Sequence, residues 1–198
     1  VFASRAAGPP VKMLTAMNTE YTSTVFGRKD VFEKMGITEK STLQQKVNAL
    51  KGKKIGVISF NGGQHTMMKF LFAKYADGAD VDKVAEVVPI GDSGNTLAAM
   101  RRGAIDVSAF SPPVPEKAVS DGYAMVLIDV LGGEVEETRG MVFTGMAVTE
   151  KALTERSKQL AAFVRAIDAA DKLVHNDILA AGTAARKPPA AMGADPHG

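Results

Sequence analysis

The chain contains no cysteine and no tryptophan, and the first absence is the more restrictive. Without cysteine the protein can form no disulfide, no thiolate metal site and no cysteine nucleophile. Its apolar runs are too short to span a bilayer. It also has no basic tract, because 24 basic and 22 acidic residues are well mixed and leave a formal net charge of +2. This charge pattern does not favour nucleic acid or a membrane surface as a partner.

The residues needed for metal or nucleophilic chemistry are also scarce. The three histidines, His65, His175 and His197, do not show the spacing typical of metal ligands. No nucleophile and base can be paired from the sequence. We therefore predict that the protein has no metal site, no cofactor and no enzymatic activity.

The remaining composition is ordinary for a globular protein of 198 residues, with 45% apolar and 23% charged residues. This length suits one large domain or two small lobes. The sequence opens at Val1 within what reads as a helix through Ala7, and residues 179–198 are rich in Ala, Gly and Pro. We expect a fragment or processed chain with a frayed or truncated tail, so the missing signal peptide is uninformative.

Strands and helices alternate between residues 51 and 129. A β-branched strand at Lys54–Ser59 is followed by the turn Asn61–Gly63 and by a helix from Gln64 to Tyr75, where apolar residues recur at helical spacing. Further strands are expected at Val84–Ile90, Ile105–Phe110 and Ala124–Ile128. This order predicts an α/β fold with a mainly parallel, doubly wound sheet and right-handed crossovers.

Three turns should leave this sheet at the carboxyl ends of its strands, where such folds bind ligands. They are Asn61–Thr66, Gly91–Asn95 and Ser111–Pro113. Each precedes a helix, and the free N–H groups and dipole of a helix N-terminus attract anions and polar groups. The same dipole disfavours a cation, so we expect His65 to be neutral. The alternative is that the turns only cap helices, for which Asn61 and Asp92 are suited.

Several phrases of the sequence carry a family resemblance. They are ALKGKKIGV at 49–57, LAAMRRGAIDVSAFSPPVPEKAVSDGYAMVLIDV at 97–130, and MAVTEKAL followed by AAFVRAIDAADKLV between 146 and 174. Together they resemble the substrate-binding proteins of ABC importers, in the branch for nitrate, taurine, aliphatic sulfonates and thiamine pyrimidine precursors. The resemblance extends over most of Pro10 to Asn176.

The resemblance implies a two-lobe, type II periplasmic binding protein fold, in which each α/β lobe is a doubly wound, mainly parallel sheet. Residues 1–50 would be a remnant of lobe one and the first crossover, and 51–130 would be lobe two. Residues 131–178 would form the return crossover and a lobe-one helix, and 179–198 the tail. Lobe one would be incomplete, and crossing segments near Glu20–Asp30 and Val130–Thr144 would absorb a hinge motion.

The resemblance also implies a function. The protein would capture a small anionic or polar nutrient between its lobes, such as a sulfonate, taurine, nitrate or a pyrimidine-like compound, and deliver it to ABC permease subunits. It would be a monomer and periplasmic or extracytoplasmic.

Two alternatives stay open. One is a thiamine-pyrimidine synthase-like enzyme that uses its own histidine, with His65 as the candidate, a pyridoxal cofactor and iron; that branch carries a cysteine-rich motif that this chain lacks. The other is a ligand-sensing regulatory domain.

The predicted ligand contacts come from four stretches of the chain. They are Asn61, Gly62, Gly63, Gln64, His65 and Thr66 in the first turn, Ser93 in the second, Ser111 and Pro112 in the third, and Asn18, Thr19 and Tyr21 in a loop that the resemblance places on the cleft side of lobe one. Backbone N–H groups of the first turn would bind the ligand, and Tyr21 would supply an apolar wall and a hydroxyl.

Overall fold

A computed structural model of the chain describes residues 10–18 and 20–177. Thr19, the helix expected through Ala7 and the tail expected from residue 179 lie outside the described residues. The chain divides into two compact units: the larger is Met17–Thr144, and the smaller combines Val1–Ala16 with Gly145–Gly198. The larger unit begins well before residue 51, where the sequence analysis places the start of lobe two.

The strands are β1 (Val11–Asn18), β2 (Thr24–Arg28), β3 (Lys54–Val57), β4 (Glu86–Pro89), β5 (Val107–Phe110), β6 (Ala124–Ile128) and β7 (Thr144–Thr149). The helices are α1 (Lys29–Lys34), α2 (Leu43–Ala49), α3 (Gly63–Tyr75), α4 (Val81–Val84), α5 (Ser93–Arg101), α6 (Val114–Ser120), α7 (Glu150–Glu155) and α8 (Ser157–Asn176), with a 3-10 turn at Glu136–Thr138.

The larger unit is built on a five-stranded sheet with the order β4-β3-β5-β2-β6. β3 pairs in parallel with both β4 and β5, whereas β2 pairs antiparallel with β5 and β6. Four strands therefore share one direction and β2 opposes them. The predicted mainly parallel α/β sheet is confirmed.

β2 lies inside this sheet, within the stretch near Glu20–Asp30 where a crossing segment is predicted. Val25 and Phe26 are fully buried, and they belong to two separate apolar clusters. Gly27 has no room for a side chain, because a Cβ there would lie 2.5 Å from the Phe32 ring. A strand buried on both faces must lie between other elements, so this stretch is a core strand of the larger unit.

Helices cover both faces of the sheet. One apolar cluster contains Val47 of α2 with Leu71 and Phe72 of α3, and the other contains Met100 of α5 with Ala118 of α6. This two-sided arrangement is the doubly wound one that the β-α alternation predicts. The sequence analysis missed α4 and the 3-10 turn, because segments of three or four residues are too short to show a period.

The smaller unit contains most of β1 and β7, which pair, together with α7 and α8. The helical stretch 150–176 is divided into α7 and α8 at Arg156, whose φ of −126° and ψ of 28° are not helical. No residue of α8 is buried, although its apolar residues recur at helical spacing. In the part of the chain that the structure describes, no helix is both long and apolar enough to cross a membrane.

Candidate functional site

A cleft of about 480 Å³ opens at the carboxyl ends of the parallel strands, entirely within the larger unit. We call it the carboxyl-edge cleft. It is lined by Tyr21, Ser23, Ile58, Ser59, Gly62, Gly63, Gln64, Ser93, Phe110, Ser111, Pro112, Val114 and Phe143. Each of the three turns predicted to leave the sheet at this edge contributes to the lining. None of the described residues that line it carries a charge.

The first wall is the start of α3, which is made largely of backbone. Gly62 occupies the N-cap position and supplies no side-chain cap, so the first N–H groups of the helix remain available. The Gln64 side chain accepts the Ile58 N–H at 2.7 Å, which ties the helix start to the end of β3. The Gly63 carbonyl accepts the Tyr21 hydroxyl at 2.9 Å. This wall therefore presents donors and little side-chain bulk.

The second and third walls are the turns after β5 and β4. The Ser111 and Thr22 hydroxyls lie 3.0 Å apart and share a hydrogen bond, and the Pro112–Pro113 peptide is cis. Ser93 is the first residue of α5, and Asp92 caps that helix by accepting the Asn95 N–H at 2.8 Å. The cap predicted as the alternative for this turn is therefore present, and it leaves Ser93 on the cleft wall.

Aromatic side chains supply the apolar part of the cleft. The Tyr21 and Phe143 rings lie 4.3 Å apart between centroids, with Phe110 also in the lining. Burial raises the pKa of Tyr21 to about 12, although a hydrogen bond with Ser23 acts in the opposite direction. The Tyr21 hydroxyl is therefore protonated at neutral pH and available to donate to Gly63.

Several lining residues were missed by sequence reasoning, for two different reasons. Ile58, Ser59 and Phe110 lie within three residues of the predicted turns, so wider windows around the strand ends would have included them. Phe143 had no such signal. It reaches Tyr21 because its N–H donates to the Asn18 carbonyl at 2.9 Å, a pairing of residues far apart in sequence.

Four of the predicted contacts that the structure describes do not line the cleft. Asn61 and His65 line a second cavity, of about 460 Å³, together with Phe60, Lys69, Asp82 and Val87. Thr66 and Asn18 are exposed outside both cavities, and Thr19 lies outside the described residues. His65 lies outside the cleft because of helical geometry. It follows Gly63 by two residues, so its side chain points inward, where it is 2% exposed. Within residues 10–18 and 20–177, no three His, Asp or Glu side chains cluster as a metal site would require.

Comparison with solved structures shows that the fold is that of the periplasmic binding proteins. The alkanesulfonate-binding protein SsuA from Xanthomonas axonopodis pv. citri, bound to MOPS, is 19% identical with a TM-score of 0.67, over 94% of this chain and 58% of that one. The periplasmic aliphatic sulphonate binding protein SsuA from Escherichia coli is 17% identical with a TM-score of 0.62, over 90% and 54%. The chain thus spans little more than half the length of these proteins.

The nitrate-binding protein NrtA from Synechocystis PCC 6803 is a more distant structural relative. It is 11% identical with a TM-score of 0.54, over 74% of this chain and 36% of that one. The sequence model of the NMT1-like family matches residues 4–186, and the chain belongs to that family. No curated protein matches the sequence. The resemblance to the nitrate and sulfonate branch of binding proteins is confirmed.

Proposed function

We propose that this chain acts in the solute-binding component of an ABC importer, and that the carboxyl-edge cleft holds one side of a small anionic or polar solute. The observation that carries the proposal is the composition of the cleft: helix N-termini and hydroxyls lie beside aromatic rings, and no described lining residue is charged. Its volume of about 480 Å³ suits a small molecule.

The two ends of such a solute would meet different surroundings. An anionic head group would accept hydrogen bonds from the N–H groups at the start of α3 and from the Ser111 and Ser93 hydroxyls, and the helix dipole would favour its charge. A carbon chain or ring would pack against Phe110 and Phe143. Aliphatic sulfonates combine both features, as taurine does in part, and the sulfonate-binding relatives support this class.

A binding role without chemistry agrees with the state of His65, a histidine close to the cleft. Both ring nitrogens of His65 are already hydrogen-bonded within the protein, which leaves none to react with a solute. The same proposal includes a wider role, which the family resemblance supports. A second lobe would close over the solute by a hinge motion, and the protein would deliver the solute to a membrane permease as a periplasmic or extracytoplasmic monomer.

Thermal melts with a solute panel test the proposal. The panel contains nitrate, taurine, butane-1-sulfonate and an aminopyrimidine. A solute present at about a hundred times its Kd should stabilise the protein by about 2.7 kcal/mol. If no solute shifts the melt and a turnover assay yields product, the chain is an enzyme and the proposal fails. If neither happens, these four solute classes are excluded.

Gly63→Val tests the site. A Cβ at Gly63 would lie 3.9 Å from both Phe143 and the Tyr21 hydroxyl, an ordinary contact distance, so the fold should tolerate it. The two methyl groups of valine would occupy the cleft and should abolish binding. Ala73→Val, on the exposed side of the same helix, is the matched control and should bind like the wild type. Binding that survives Gly63→Val would place the solute elsewhere.

A further inference from the structure

We propose that His65 is a positioning residue: through Nδ1 it holds the turn at Asn61 in the shape that forms one wall of the carboxyl-edge cleft, without contacting the solute. This inference rests on the proposed function, because it assigns a role within the same site. It replaces the ligand contact that the sequence suggests for this side chain.

The two ring nitrogens of His65 have different partners. The Asn61 N–H donates to Nδ1 at 2.9 Å, and Nε2 lies 2.7 Å from Asp82 Oδ1. A backbone N–H can only donate, so Nδ1 carries no proton. The neutral ring therefore has its proton on Nε2 and donates it to Asp82. With the ring 2% exposed, neither nitrogen has room for another partner.

The hydrogen bond to Nδ1 fixes an unusual backbone. Asn61 has a φ of 59°, in the left-handed region that residues other than glycine seldom adopt. Gly62 and Gly63 follow directly and line the cleft, and the Gly63 carbonyl is the acceptor for Tyr21. A change in the backbone of Asn61 therefore moves the wall on which the solute would lie.

The other nitrogen connects the turn to a solvent-exposed carboxylate. Asp82 is 38% exposed at its side chain, and it also pairs with Lys69 at 3.0 Å. Burial acts to raise the pKa of Asp82, but hydrogen bonds from Lys69 and His65 outweigh it and leave that pKa below its usual value. Asp82 is therefore charged at neutral pH and keeps the Nε2 proton directed towards itself. Asp82 from α4 and Lys69 from α3 are the charged groups that face the ring in this cavity.

Two substitutions separate the two hydrogen bonds. In His65→Asn the amide oxygen lies near the place of Nδ1 and can still accept the Asn61 N–H, but it does not reach Asp82. In His65→Gln the amide lies near the place of Nε2, so it keeps the contact with Asp82 and loses the one with Asn61. The readouts are amide hydrogen exchange at Asn61 by NMR, which needs no solute, and the Kd of butane-1-sulfonate at neutral pH.

We expect exchange at Asn61 to be about tenfold faster in His65→Gln, as for one lost hydrogen bond, and close to wild type in His65→Asn. Butane-1-sulfonate should bind the wild type and His65→Asn alike, and His65→Gln several-fold more weakly. Equal exchange in the two variants, or equal Kd values of the two variants for butane-1-sulfonate, would overturn the proposal. If butane-1-sulfonate does not bind the wild type, the proposed solute class fails, and the exchange pattern alone still decides the role of His65.

Discussion

The two edges of the large sheet carry cavities of similar size and opposite character. At the carboxyl edge, where the parallel strands end, a cleft of about 480 Å³ is lined by hydroxyls, backbone and aromatic rings, and no described lining residue is charged. At the amino edge, where the parallel strands begin, a cavity of about 350 Å³ is lined mostly by charged residues. They are Arg28, Lys29, Asp30, Glu33 and Arg101, with Met100, Gly122 and Tyr123.

The charges of the amino edge already have partners. Arg28 binds Asp30 at 2.7 Å, Lys29 lies 3.7 Å from Glu33, and Arg101 pairs with Asp121. Groups that neutralise one another offer little to an outside ligand, whereas the helix N-termini of the carboxyl edge retain free donors. A high density of charge therefore marks the structural edge of this sheet, whereas the described lining of the candidate binding edge is uncharged.

The largest effect should come from the structural edge. Phe32 of α1 is fully buried and packs on Gly27 next to the amino edge. Phe32→Ala should lower the free energy of unfolding by about 3–5 kcal/mol, because it leaves a cavity in the core. Urea unfolding measures this loss. The protein that remains folded should bind butane-1-sulfonate with unchanged Kd; a weaker Kd would show that the two edges are coupled.

The next largest effect should come from Tyr21 at the carboxyl edge, and it should appear as a loss of stability at alkaline pH. The pKa of Tyr21 is about 12 in the folded protein, raised by burial, against about 10 for an unfolded tyrosine. Folding therefore favours the neutral phenol. This preference adds to the free energy of unfolding, fully so below about pH 10, and the added stability should be lost as the pH rises to about 12. The total loss should be about 2.7 kcal/mol. Urea unfolding across this range measures it, and Tyr21→Phe should flatten the curve in part, since Tyr75 also has a pKa of about 12.

Tyr123 is the matched control for Tyr21. Its hydroxyl is buried at the amino edge, and no described residue hydrogen-bonds to it, whereas the Tyr21 hydroxyl donates to Gly63. At neutral pH, Tyr21→Phe should cost about 1 kcal/mol for one net hydrogen bond, and Tyr123→Phe should cost nothing or stabilise the fold. Equal costs for the two substitutions would contradict the assigned difference between the edges.

The edge that carries the candidate cleft could be predicted from the sequence, because it depends only on the order of elements. Parallel strands followed by helices bring Gly63, Ser93 and Ser111 to one edge whatever the details of packing. Two other features depend on long-range contacts. The strand signal of β2 is weak, yet the strand is central because Val25 and Phe26 fill both faces of the sheet. The orientation of His65 depends on where α3 begins. Neither could be inferred from local pattern alone.

The smallest effect should come from the exposed ion pairs of the amino edge. A hydrogen bond from Lys117, with a further contribution from Arg101, leaves the pKa of Asp121 below its usual value. A lowered carboxyl pKa stabilises the fold above the unfolded value, near 4, and the contribution is lost as the pH falls below it. Asp121→Asn should therefore remove a shallow acid dependence from urea unfolding at low salt. In 1 M NaCl the difference between the variant and the wild type should disappear, since exposed pairs are screened.

Solute binding should not change in Asp121→Asn. If Asp121→Asn weakened butane-1-sulfonate binding as much as Gly63→Val does, the amino edge would belong to the site, and the contrast between the two edges would have to be abandoned.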